Sequence, residues 1–128
     1  ATKAHLARAA LEAICYQSRE ILVALAAESG VQLKQLRVDG GITNNNLCMQ
    51  IQADVLQIEI VRPQIVETTA LGAAYAAGLA VGYWKSTDEL KAKSVIANKW
   101  SPVKDSKLAT QGFKQWEKAV SKTLNWID

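Results

Sequence analysis

The stretch Leu36–Gln50, "LRVDGGITNNNLCMQ", constrains this chain more than any other. An alternating apolar segment ends in an acid and two glycines, and three asparagines then lead into a helical pattern. That is a strand turning directly into a helix, the join from which α/β folds are built. A tight turn needs one glycine at most. A second position without Cβ permits unusual dihedrals or lets a flat ligand come against the backbone.

The flanking sequence repeats the alternation of helix and strand. From Ala4 to Ser29, Leu11, Ile14, Cys15, Ser18, Leu22 and Leu25 recur at helical spacing and define one face. Thr2 suits its N-cap, and Gly30 suits a left-handed residue after its end. In "LKQLRVD", Leu36 and Val38 point one way, Gln35 and Arg37 the other. Asn44–Gln57 reads as a second helix with Leu47, Ile51 and Val55 inward, and "IEIVRP" as a second strand that Pro63 terminates. A third helix opens at "ETTALGAAYAAGLAVG", capped by Thr68 or Thr69 with Glu67 near the positive end of its dipole.

That third helix is nearly bare of side-chain bulk: Ala70, Gly72, Ala73, Ala74, Ala76, Ala77, Gly78 and Ala80. An internal glycine costs about 1 kcal/mol relative to alanine, so the pattern predicts another backbone packed close against it. "STDELKAK" reads as one or two helical turns and "SVIANKWSPV" as an extended segment ended by Pro102. A last helix is predicted from Asp105 to Ile127, docked by Phe113, Trp116, Val120, Leu124 and Ile127. Lys107, Lys114, Lys118 and Lys122 lie elsewhere on it, as on a solvated face. The class is α/β, but two strands make a poor sheet, and the chain is expected to lack the rest of the sheet it joins.

Composition narrows the function classes. A formal charge of +3 spread over 128 residues is no electrostatic footprint for a nucleic acid. The apolar run of the third helix is shorter than the roughly 20 residues of a membrane span. Cys15 and Cys48 sit within apolar patterns and read as buried free thiols of a cytoplasmic protein. The abrupt opening "ATKAHLARAALEA", without methionine, suggests a fragment.

In open α/β folds, ligands gather at the carboxyl ends of strands, where Gly40 and Gly41 lie. Asn44–Asn46 can cap the next helix and offer amides, each with donor and acceptor, to the matching edge of a purine. "DGGITNNN" is neither a Walker A loop nor the G-x-G-x-x-G fingerprint. By spacing alone, a capped structural turn and a nucleotide-binding turn both remain open.

"RVDGG", "MQIQAD" and "ETTALGAAYAAG", at these spacings, resemble the C-terminal part of glycerol kinases in the FGGY carbohydrate-kinase family. "AHLARAALEAICYQSRE" resembles the helix that precedes the strand there, and "FKQWEKAVSKTLNW" the closing helix, so the resemblance covers essentially the whole chain. It implies part of the C-terminal lobe of an actin/hexokinase-like, ribonuclease H-like ATPase fold, with an incomplete sheet and flanking helices. Residues 1–128 would be the adenine-binding side of that lobe, without the N-terminal domain. The implied reaction is phosphoryl transfer from ATP, with Mg²⁺, to glycerol. The backbone at Gly40 and Gly41 would approach the nucleotide, Ile42 would lie beside the base, and Asn45 would contact adenine, with Asn44 and Asn46 as caps or solvated neighbours. The small-residue helix would lie near the interlobe hinge.

The same resemblance places the catalytic aspartate, the glycerol site, the phosphate loops and the metal ligands outside this chain, and implies a homo-oligomeric parent. No catalytic and no metal-ligating residue is assigned here. Asp39 is expected to serve the strand end, His5 the helix surface, and Glu67 either its helix start or a pairing with Arg62. Two other readings stay open: a non-catalytic nucleotide-binding or regulatory module of an actin-like ATPase or another FGGY sugar kinase, and a purely structural turn with the lysine-bearing last helix as a docking surface.

Overall fold

The computed structural model describes residues 1–65, 67–125 and 127. Helix α1 spans Lys3–Ser29. As expected, Thr2 is its N-cap, and the Thr2 backbone N–H donates to His5 Nδ1 at 3.0 Å. His5 thus has a capping role. Gly30, at φ 69°, closes the helix by donating its N–H to the Ala26 carbonyl. Strand β1, Gln35–Arg37, is followed by a 3₁₀ turn over Gly41–Asn44 and helix α2, Asn46–Leu56. Then come β2, Glu59–Pro63, α3, Thr68–Ala80, α4, Thr87–Lys93, β3, Ile96–Trp100, and α5, Ser106–Ser121.

The sheet has three strands in the order β1-β2-β3, one more than the sequence pattern suggests. β1 runs parallel to β2, with Leu36 opposite Ile60, and β3 pairs antiparallel on the far edge, with Lys99 opposite Val61. The extended segment "SVIANKWSPV" contains this strand. Only its ends, Ile96 and Trp100, are half-buried, so no apolar alternation marks it in the sequence.

β2 is the centre of the core. Its adjacent residues Ile60 and Val61 are both fully buried, as befits a strand covered on both faces. α2 supplies Cys48, Met49, Ile51, Gln52, Ala53 and Val55. Leu47, expected inward, is instead 53% exposed. The helix begins at Asn46; Ile51 and Val55 are buried as expected, and Cys48 and Gln52 extend the inner face on the side away from Leu47. On α1, Cys15 is buried and Leu11 and Tyr16 pack against this core, whereas Ile14 and Leu25 are exposed. Neighbouring helices cover only part of the apolar stripe that the spacing identifies.

α5 docks on α1 through aromatics, as expected. Tyr16 stacks on Trp116 at 5.6 Å and tilts against Phe113 at 6.3 Å. Trp116 Nε1 donates to Glu20 Oε1 at 2.9 Å. Arg19 lies 4.5 Å over the Phe113 ring and donates to the Val55 carbonyl at 2.7 Å, tying α1 to the end of α2. α5 stops at Ser121, short of the predicted end, so Leu124 and Ile127 leave the helical phase and are 64% and 87% exposed. Trp126, at the end of the quoted closing motif, lies outside the described residues.

Among the described residues no second backbone packs closely on α3. Only Gly78 is buried, and a Cβ there would meet the Trp84 ring at 2.2 Å. The glycine makes room for an indole folding back after the helix. A Cβ on Gly72 would meet nothing within 4 Å. A cavity of about 450 Å³ opens instead between α3, through Leu71, Gly72 and Tyr75, and the strand ends at Val38, Asp39 and Pro63.

Candidate functional site

The site expected from sequence is the connection between β1 and α2. Strand pairing runs on to Val38, whose N–H donates to the Val61 carbonyl at 3.0 Å. Gly40 then adopts φ 89°, ψ 169°, a region essentially reserved for glycine. Gly41 has no positive φ. The conformational demand therefore falls on the first glycine of the pair, not on both. At either position a Cβ would meet nothing within 4 Å. Gly41 is dispensable for the turn, and its bare face is open.

The 3₁₀ turn is held from below. Thr43 is buried, and its N–H and hydroxyl both donate to the Gly40 carbonyl, at 3.1 and 2.6 Å. Asn45 N–H donates to the Ile42 carbonyl at 3.0 Å. Ile42 itself is 46% exposed, beside the glycines on the outer side. Asn45 is the N-cap of α2, its Oδ1 accepting from the Cys48 N–H at 3.0 Å. The cap expected of the Asn44–Asn46 run is thus Asn45, and its neighbours are solvated: Asn44 ends the turn and Asn46 is the first helical residue, both exposed. With Oδ1 committed to the cap, the amide Nδ2 of Asn45 is the group left to donate outward.

Gly40, Gly41, Ile42 and Asn45 thus share one exposed ledge at the carboxyl end of a parallel strand. The cavity of about 450 Å³ lies beside it and includes Asp39, but none of these four residues lines it. Asp39 accepts a hydrogen bond from the Thr68 hydroxyl and so joins the strand end to the start of α3. That is the structural part expected of it. Glu67 is the N-cap residue of α3 but makes no side-chain capping bond. Arg62 is engaged with Thr43 and Asn98 instead of Glu67.

Other reactive groups are quiet. Cys15 and Cys48 are both buried and unbonded to each other, and the Cys15 Sγ lies 3.7 Å from the Cys48 carbonyl it donates to. Burial, reinforced by the neighbouring Cys48, pushes the Cys15 thiol up to about 12, which disfavours a thiolate nucleophile. Among the described residues no three His, Cys, Asp or Glu side chains gather as a metal site, and no helix is long and apolar enough to cross a membrane.

Sequence reasoning passed over Thr43 and over the partners that Arg62 takes. Thr43 carried a weak signal, since a hydroxyl just after a glycine pair can bond back to the turn. Arg62 carried none, because its partners lie 19 and 36 residues away in the chain.

The model of the FGGY family of carbohydrate kinases, C-terminal domain, matches residues 1–81, from α1 through the glycine turn to the end of α3. The chain belongs to that family. A glycerol kinase of Mycolicibacterium gilvum is 58% identical over 127 residues, 99% of this chain. This FGGY chain spans only 25% of that relative's length. The crystal structure of Plasmodium falciparum glycerol kinase with ADP superposes with a TM-score of 0.85 at 36% identity, over 96% of this chain and 25% of that one. Xylulose kinase from Rhodospirillum rubrum superposes at 0.77 with 26% identity, covering 95% of this chain and 25% of its own. The small mixed sheet with flanking helices is thus part of the C-terminal lobe of an FGGY kinase.

Proposed function

We propose that this chain supplies the adenine side of the nucleotide pocket of a glycerol kinase, which transfers a phosphoryl group from ATP to glycerol, giving ADP and sn-glycerol 3-phosphate. The observation that carries the reading is the ledge itself: an unobstructed Gly41 beside an Asn45 whose oxygen is already bound. A base can lie on the Gly40–Gly41 backbone with Ile42 at its edge, and Asn45 Nδ2 can donate to a ring nitrogen. The identity to glycerol kinases over 127 residues supports the choice of acceptor class, although the acceptor groups themselves are not assigned to this chain.

Phosphoryl transfer is catalysed mainly by positioning and charge stabilisation. In this reading the ledge anchors the base end of ATP, and Mg²⁺, the phosphate donors and the catalytic base lie in other parts of a longer, cytoplasmic, homo-oligomeric enzyme. Residues 1–128 alone should then show no glycerol-dependent ATP turnover. The contribution of Asn45 is modest, because a neutral hydrogen bond is worth about 0.5–1.5 kcal/mol, or roughly tenfold in affinity at most.

The test is an amide NMR titration of this chain with ADP. Saturable shifts centred on Gly40, Gly41 and Asn45 are expected, and a dispersed spectrum indifferent to ADP would overturn the reading. Asn45→Asp separates the two uses of the side chain. It keeps the cap oxygen and hence stability, while exchanging the amide donor for an acceptor, so ADP shifts should weaken without loss of fold.

A further inference from the structure

Among the described residues, the 3₁₀ turn of the ledge takes a long-range side-chain support from Arg62. Arg62 leaves β2 and donates from Nη1 to the Thr43 carbonyl at 2.6 Å. Its Nη2 donates to Asn98 Oδ1, also at 2.6 Å, and its guanidinium lies 5.2 Å over the Trp100 ring. Both Asn98 and Trp100 belong to β3, which lies beyond the residues matched by the family model. Thr43 is buried and makes the two bonds that close the turn on Gly40. A shift of its carbonyl therefore moves the glycines and Ile42 together.

We propose that Arg62 is a positioning residue for nucleotide binding, held by Asn98 and Trp100 so that its guanidinium fixes the turn bearing Gly40, Gly41 and Ile42. The proposal rests on the nucleotide reading of the ledge. The fork geometry explains why arginine suits the place: one planar group meets two acceptors in different elements while its face rests on an indole. A lysine ammonium has donors enough but no planar fork, and no flat face to rest on the indole while it bonds both acceptors. β3 then acts as a brace for a site it does not touch, since no residue of β3 belongs to the ledge.

The experiment compares wild type with Arg62→Met, Arg62→Lys, Asn98→Ala and Asn98→Asp, using two readouts. The first needs no ligand: hydrogen exchange at the Thr43 and Asn45 amides, the two that close the turn. Arg62→Met should speed exchange there while the Ile60 and Val61 amides keep their protection, whereas a generally structural arginine would loosen the sheet as well. Asn98→Asp, which keeps an acceptor for the guanidinium, should preserve protection, and Asn98→Ala should lower it. The second readout is ADP affinity, expected to fall about tenfold in Arg62→Met, the scale of one charge-assisted hydrogen bond, and less in Arg62→Lys. Wild type that ignores ADP would sink the nucleotide reading and this proposal with it. ADP binding to wild type with unchanged affinity or unchanged turn exchange in Arg62→Met would overturn the positioning role alone.

Discussion

α2 and α3 each follow a strand of the same parallel pair, and they are similar in length, yet they relate to the molecule in opposite ways. α2 buries six of its 11 residues, while α3 buries one of 13. The difference lies in what faces them. α2 sits against the central strand and two helices, so its apolar side chains are enclosed. α3 is separated from the strand ends by the cavity lined by Leu71, Gly72 and Tyr75, and its alanines face outward. One helix is consolidated by large side chains within this chain. The other presents a smooth, small-residue surface with little against it among the described residues.

The sharpest way to break that comparison is to change side-chain bulk on each side of it. Ile60→Ala removes a fully buried side chain from the strand beneath α2 and should cost about 2–5 kcal/mol. Ala76→Leu on exposed α3 should stay within about 0.5 kcal/mol. Urea unfolding measures both. A large loss from Ala76→Leu would mean that α3 is covered in solution and that the contrast is wrong.

The next prediction divides the glycine pair. Gly40→Ala places a side chain at φ 89°, ψ 169° and should destabilise by about 1–3 kcal/mol. Gly41→Ala meets open space and should leave stability unchanged while weakening ADP binding. Gly41→Val should weaken it further. Equal ADP affinity for wild type and Gly41→Val would refute the close approach of a base to this backbone.

These cases show which features could be read from the chain. The strand, the glycine turn and the cap at its end are local, and local chemistry dictates them: Gly40 needs its dihedrals, and Asn45 needs only the Cys48 N–H three residues on. The face of α1 was half legible, since periodicity finds an apolar stripe but not how much of it neighbours cover; Ile14 and Leu25 stayed outside. β3 and the Arg62 bridge were illegible because they depend on pairing between distant segments. The proposed nucleotide contacts at Gly41 and Asn45 came from resemblance joined to turn chemistry, and the open space above Gly41 could be seen only in three dimensions.

Within α3 the two glycines should respond with opposite signs. Gly72→Ala adds a methyl group to open space and removes an internal helix glycine, so it should stabilise by up to about 1 kcal/mol. Gly78→Ala would press a Cβ to 2.2 Å from the Trp84 ring and must displace the indole. Trp84 stacks edge-on with both Tyr75 and Tyr83, so its near-UV circular dichroism should change as well. If both substitutions stabilise, Gly78 is not a seat for Trp84.

The last effect is one of pH, and it belongs to the α1–α2 side. Cys15 is buried where these helices meet, and its thiol is pushed from its ordinary 9.0 up to about 12 by burial first and by Cys48 second. Above pH 9 the unfolded chain can ionise this group while the folded chain keeps it neutral. The unfolded state therefore releases more protons, and stability falls as pH rises through that window. Tyr16 acts in the same direction, because burial and then Glu12 also raise its phenol. The slope of urea stability between pH 8 and pH 10, all else held constant, should be shallower in Cys15→Ala, even though that variant is weaker at both pH values. An unchanged slope would assign the alkaline loss to other groups and remove Cys15 from the account. Because α3 carries no buried thiol, the alkaline loss of stability should originate where α1 meets α2.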